Sequence, residues 1–172
     1  MDATHVHLLL THFPIVGTIL GVGILAFGQF SNNQTIKQVA LVKFSAMAVL
    51  TIPVFLTGEG AEETVEHLPG VSESLISQHE ELAEKAIWLM GILGVLSIIN
   101  VFVLFKKLAI ANALTIATLV VSLATVGVFV KVGSLGGQIR HSEIRANNVQ
   151  PQNGETNQGL INAGRAEDED DD

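Results

Sequence analysis

The chain of 172 residues contains no cysteine. That absence excludes disulfides, iron–sulfur clusters, thiol-based redox chemistry and covalent haem attachment. Charge is scarce as well: charged residues make up 15% of the chain, against roughly a quarter in soluble domains. Phosphate-binding glycine loops, nucleophile motifs and basic patches are also missing, which sets aside nucleotide chemistry, covalent hydrolysis and nucleic-acid binding.

Hydrophobic residues, at 48% of the chain, are concentrated in four segments: Leu8–Phe30, Val39–Thr57, Ala86–Phe105 and Leu108–Val130. Each is long enough to cross a hydrocarbon core of ~30 Å, which takes ~20 helical residues. None shows the polar stripe of a soluble amphipathic helix. The expected fold is therefore all-α, an integral membrane four-helix bundle running up-down-up-down. The first segment is too long for a signal peptide, and Asp2 stands where a leader carries lysine or arginine. It is read as a retained helix.

The loops alternate in charge. The segments 31–38 and 105–107 hold Lys37, Lys106 and Lys107, with Lys43 able to snorkel to the same surface. All 17 acids lie elsewhere, at Asp2, between Gly58 and Glu84, and after the fourth helix. Short lysine-bearing loops favour the cytoplasm, which puts both termini on the extracytoplasmic side. By raw count Lys85, Lys131, Arg140 and Arg145 on the acidic side equal the four lysines opposite, so the assignment rests on charge density. Residues 1–145 are expected to form the transmembrane domain. Residues 146–172, rich in Asn, Gln and Gly and ending in Glu167–Asp172, are expected to form a disordered acidic tail. Such a tail suits capture of a basic partner, or simple solvation.

The topology gathers all six histidines, His5, His7, His12, His67, His79 and His141, at the acidic side. His12 lies inside the first apolar run, at a depth of roughly 6 Å. An ionisable ring there is expected to face the bundle interior and mark a site. His79 falls on the apolar stripe of an amphipathic helix, residues 72–85, with Ser72 or Ser74 as N-cap. That helix leads into the third span and carries His79 onto the packed face. His5 and His12 share a face of the first helix, from which His7 is turned by roughly 140°. His67, just before Pro69–Gly70, reads as a loop residue. Gly17, Gly21, Gly23, Gly91 and Gly94 could open space for a porphyrin, although small residues are ordinary membrane packing too.

The run His7-Leu-Leu-Leu-Thr-His12-Phe-Pro-Ile15 resembles the opening of an uncharacterised family of predicted four-helix bacterial membrane proteins, a domain of unknown function. The first helix of that family begins His-Pro…Val-His-Phe-Pro-Ile. The resemblance continues at Thr57-Gly58, at His79 and at Gly136-Gly137. Leu8 departs from the family's proline, and His141 follows the glycine pair at a shorter interval. Some members are joined to cytochrome c domains, so the resemblance implies electron transfer in a bacterial inner membrane.

The leading expectation is a membrane electron-transfer subunit that binds haem b through His12 and His79, with His7 and His141 at a second site or behind the ligands. The alternatives are a non-haem metal protein, in which His12, His79 and His7 hold zinc, iron or copper, and a structural accessory subunit. Besides the lipid bilayer, the expected partners are a larger membrane complex or a soluble cytochrome.

Overall fold

The computed structural model describes residues 3–141 together with 144 and 145; the tail expected at 146–172 lies outside them. Residues up to His141 form one compact unit. Its helices are α1 (Ala3–Phe30), α2 (Gln34–Leu56), α3 (Gly58–Val65), α4 (Glu73–Phe105) and α5 (Ala111–Arg140). Four are long and apolar enough to span a membrane, α3 prolonging the second of these. The helices outrun the apolar segments because hydropathy marks only the portion in hydrocarbon, while backbone hydrogen bonding continues into the interface.

Tight turns join the spans on the lysine side. Asn32 adopts φ 49, a left-handed conformation that asparagine tolerates. Asn33 then caps α2, its side chain accepting from the Ile36 amide at 3.2 Å. At the other end α2 stops at Leu56, shortly after Pro53. The Thr57 hydroxyl donates back to the Pro53 and Val54 carbonyls, each at 2.9 Å. The chain then re-enters a helix as α3, which the hydropathy pattern does not reveal because its residues are mostly acidic or small. As expected, α4 is continuous from its amphipathic start through the third span, with Ser72 at the N-cap position.

Each long helix neighbours two others: α1 packs on α2 and α5, and α4 packs on the same pair. Helices α1 and α4 therefore stand at opposite corners and run in the same direction. The two sides of the bundle invert the soluble rule. Apolar side chains such as Leu9, Phe27, Val95 and Ile98 are exposed, whereas Thr18, Ser97, Asn100, Thr115, Thr118, Ser122 and Thr125 are fully buried. Large apolar groups outside and small polar groups between helices are the arrangement a lipid solvent favours, and the chain is a multi-pass membrane protein.

Candidate histidine site

The inward face of α1 is set by Pro14, Gly17, Thr18, Gly21, Leu25 and Gly28, all buried. A Cβ on Gly17 would run into Met47, one on Gly21 into Phe44, and one on Gly28 into the backbone of Lys37. Contact with α2 this close admits only small residues. His7 lies seven residues before Pro14, within roughly 20° of that face at 100° per residue. His5 and His12 fall on the opposite face.

The structure bears this out. His7 is half-buried, whereas His5 and His12 are exposed. The His12 ring turns back on its own helix, Nδ1 donating to the Leu8 carbonyl at 2.7 Å. The expectation that His12 faces the interior is thus corrected: a helix in a bundle has one packing face, and the glycines award it to the phase of His7. The same phase accounts for the glycines themselves. Gly17, Gly21 and Gly94 are filled by Met47, Phe44 and Ala48, and Gly23 and Gly91 have nothing within 4 Å and lie on the exposed side. None of the five clears a slot inside the bundle.

On α4 the buried residues Ile76, Ala86, Met90, Leu93, Ser97, Asn100 and Leu104 follow a heptad seam. His79 occupies a seam position, half-buried as expected. Its depth relative to His7 follows from one contact. The Thr18 hydroxyl of α1 meets the Met90 sulfur of α4 at 3.7 Å across the bundle. Both histidines precede their helix's partner in that contact by eleven residues. In parallel helices this is the same displacement of roughly 16 Å and nearly the same phase, within about 20°. His7 and His79 therefore sit at one level and face each other across the axis, near enough to interact electrostatically.

Each ring is anchored in the same way. His7 Nδ1 donates to the Val54 carbonyl of α2 at 3.0 Å, with the Thr57 hydroxyl oxygen at 3.3 Å. His79 Nδ1 donates to the Val132 carbonyl of α5 at 3.0 Å. In both cases the residue four positions on is a glycine. Gly58 follows Val54 and Gly136 follows Val132, with ideal Cβ positions 3.7 Å from His7 Cε1 and 3.1 Å from His79 Cε1. The side chain at position i+4 normally screens a helical carbonyl, so a glycine there opens the second lone pair to an imidazole. Val54 is also one of the last carbonyls of α2, where helical partners run out. With Nδ1 carrying the proton, Nε2 keeps its lone pair. This is the tautomer of a metal-ligating histidine held by a backbone carbonyl.

His67 and His141 lie at the surface. His67 is exposed after α3, 3.2 Å from Glu66. His141 is exposed in non-helical backbone at the end of α5. Among the described residues no group of three or more histidines and carboxylates is gathered that could hold a metal ion. Carboxylates nonetheless dominate this end of the bundle: Glu62 lies near enough to Glu59, Glu66 and Glu80 of α4 to interact electrostatically with each, and α3 packs on α1.

The anchoring carbonyls escape a reading of the sequence because every residue has one. The glycines at positions 58 and 136 were the available signal, and the resemblance described above passes through both. Comparison with protein-family models, curated proteins and solved structures finds no match.

Proposed function

We propose that this chain is a membrane-embedded electron-transfer subunit that holds haem b between His7 and His79. The observation that carries this reading is the pair of half-buried imidazoles at one level of opposite helices, each with Nδ1 tied to a backbone carbonyl and Nε2 left to coordinate. Two opposed imidazoles are what an iron already held by a macrocycle asks for. A bare zinc, iron or copper ion asks for three or four protein ligands. When bound, the haem supplies a one-electron couple. The chain's own residues orient the rings, fix their tautomer and surround them with apolar helices.

Orientation follows the lysines: the short loops face the cytoplasm, the histidine end faces outward, and the inner membrane of a bacterium is the compartment the resemblance implies. The carboxylates of α3 and the start of α4 then present a negative surface beside the haem. That surface suits a basic soluble cytochrome or a larger membrane complex as electron partner.

The test is an absorption spectrum of detergent-purified protein produced in haem-replete cells. A Soret band lost in both His7→Ala and His79→Ala but kept in His12→Ala is expected. Colourless wild-type protein overturns the proposal, and stoichiometric zinc, copper or iron without porphyrin in elemental analysis assigns the site to a bare metal instead.

A further inference from the structure

The inner half of the bundle, remote from the histidines, contains a second polar assembly. Ser97 and Asn100 sit one turn apart on the buried seam of α4, and Thr115, Thr118 and Ser122 line the buried face of α5. All five are at 0% exposure. Their hydrogen bonds can be followed one by one. The hydroxyls of Thr115, Thr118 and Ser122 each donate to a carbonyl of their own helix at 2.8 Å. Asn100 Nδ2 donates to the oxygens of Thr115 and Thr118, both at 3.3 Å.

Two groups remain. Asn100 Oδ1 has only the Thr115 hydroxyl at 3.5 Å, whose hydrogen already serves the Ala111 carbonyl. Ser97 Oγ has no hydrogen-bond partner among the described residues. A donor and an acceptor without good partners thus stand on neighbouring turns of the buried seam of α4, where Asn100 meets the hydroxyls of Thr115 and Thr118 on α5. In hydrocarbon neither has bulk water to turn to.

We propose that this place is an internal hydration site, in which a water molecule accepts from the Ser97 hydroxyl and donates to Asn100 Oδ1. A buried water that joins otherwise unpaired groups is the ordinary remedy for such a pair. Neutral oxygens without a carboxylate favour water over a cation, whose charge would go uncompensated. The site does not depend on what the histidines bind.

The experiment uses the full chain, labelled with nitrogen-15, in detergent micelles or nanodiscs. Rotating-frame transfer from water is measured at the side-chain amide of Asn100, the resonance being assigned by its loss in Asn100→Leu. A direct dipolar cross-peak of the sign that excludes chemical exchange is expected. It should be abolished in Ser97→Val, which fills the space and removes the donor, with helical circular dichroism unchanged. No cross-peak in the wild-type protein, or one that persists in Ser97→Val, overturns the proposal. So does an Asn100 shift that follows replacement of sodium by choline in the absence of a water cross-peak, which assigns the site to a cation. If Ser97→Val does not fold, the wild-type spectrum alone decides.

Discussion

The two hairpins of the bundle, α1–α2 and α4–α5, share a device at one end and part company at the other. At the histidine end each fixes a histidine of its first helix to a carbonyl of its second, beside a glycine four residues on. Toward the lysine end the first hairpin closes through glycine: Gly17, Gly21 and Gly28 receive Met47, Phe44 and Ile36. The second closes through hydrogen bonds, with Asn100 bridging to Thr115 and Thr118. Membranes offer little hydrophobic drive for helices to associate, so close packing and interhelical hydrogen bonds are the two remedies available. This chain uses one in each half. At the shared end the two anchors are matched in geometry. The unshared ends have only to hold helices together, and either solution serves.

The comparison breaks first at Gly21. Placing valine there forces Phe44 aside, with its Cε1 only 2.5 Å from the position of a Cβ, and overpacking of this kind typically costs about 1–3 kcal/mol. Gly127→Val on α5, where nothing lies within 4 Å, should change little. Denaturant unfolding in mixed micelles, followed by circular dichroism, measures both; equal losses would show that the first hairpin does not depend on glycine packing.

Next comes the pair of glycines beside the histidines. Gly136→Ala puts a methyl group 3.1 Å from the His79 ring and should displace it from Val132, whereas at Gly58 the 3.7 Å spacing is an ordinary contact. Loss of one hydrogen bond, about 1.4 kcal/mol, corresponds to roughly tenfold weaker ligand retention. Titrating purified variants with haem should show that weakening for Gly136→Ala and near-normal binding for Gly58→Ala. The reverse order would mean that the two anchors are unequal in the other sense.

The smallest effect is expected at Asn100. Asn100→Ala removes the interhelical bonds of the second hairpin, and such bonds in membranes are worth about 0.6 kcal/mol, at most about 2. The same unfolding assay reads it, and a loss as large as that of Gly21→Val would make the polar clamp the principal fastening of the bundle.

Much of this architecture is legible before folding. The four spans follow from apolar length, and the placement of His79 follows from the stripe of residues 72–85, which the structure continues through Ala86, Met90 and Leu93. The phases on α1 are equally legible: His7 stands apart from His5 and His12 by helical geometry alone. Which phase faces inward is harder to see, because lipid and protein interior are both apolar and hydropathy does not tell them apart. Intramembrane depth points to His12. The better guide is steric, since Gly17, Gly21 and Gly28 share a phase with His7 and only small residues permit the approach of α2. The hydroxyl stripe of Thr115, Thr118, Ser122 and Thr125 carries the same kind of information on α5.

The sequence by itself determined that the chain crosses a membrane four times, that its lysine loops lie at one end and its histidines at the other, and the angular relation of residues within each helix. These depend on local hydrogen bonding and on transfer to lipid, both of which are properties of segments. Only the tertiary structure decided that α1 and α4 stand opposite each other in register, so that His7 and His79 share one level while His12 is exposed. That choice belongs to the contacts between helices, where one missing side chain at Gly58 or Gly136 opens a carbonyl and a neighbour forty-seven or fifty-three residues away takes it.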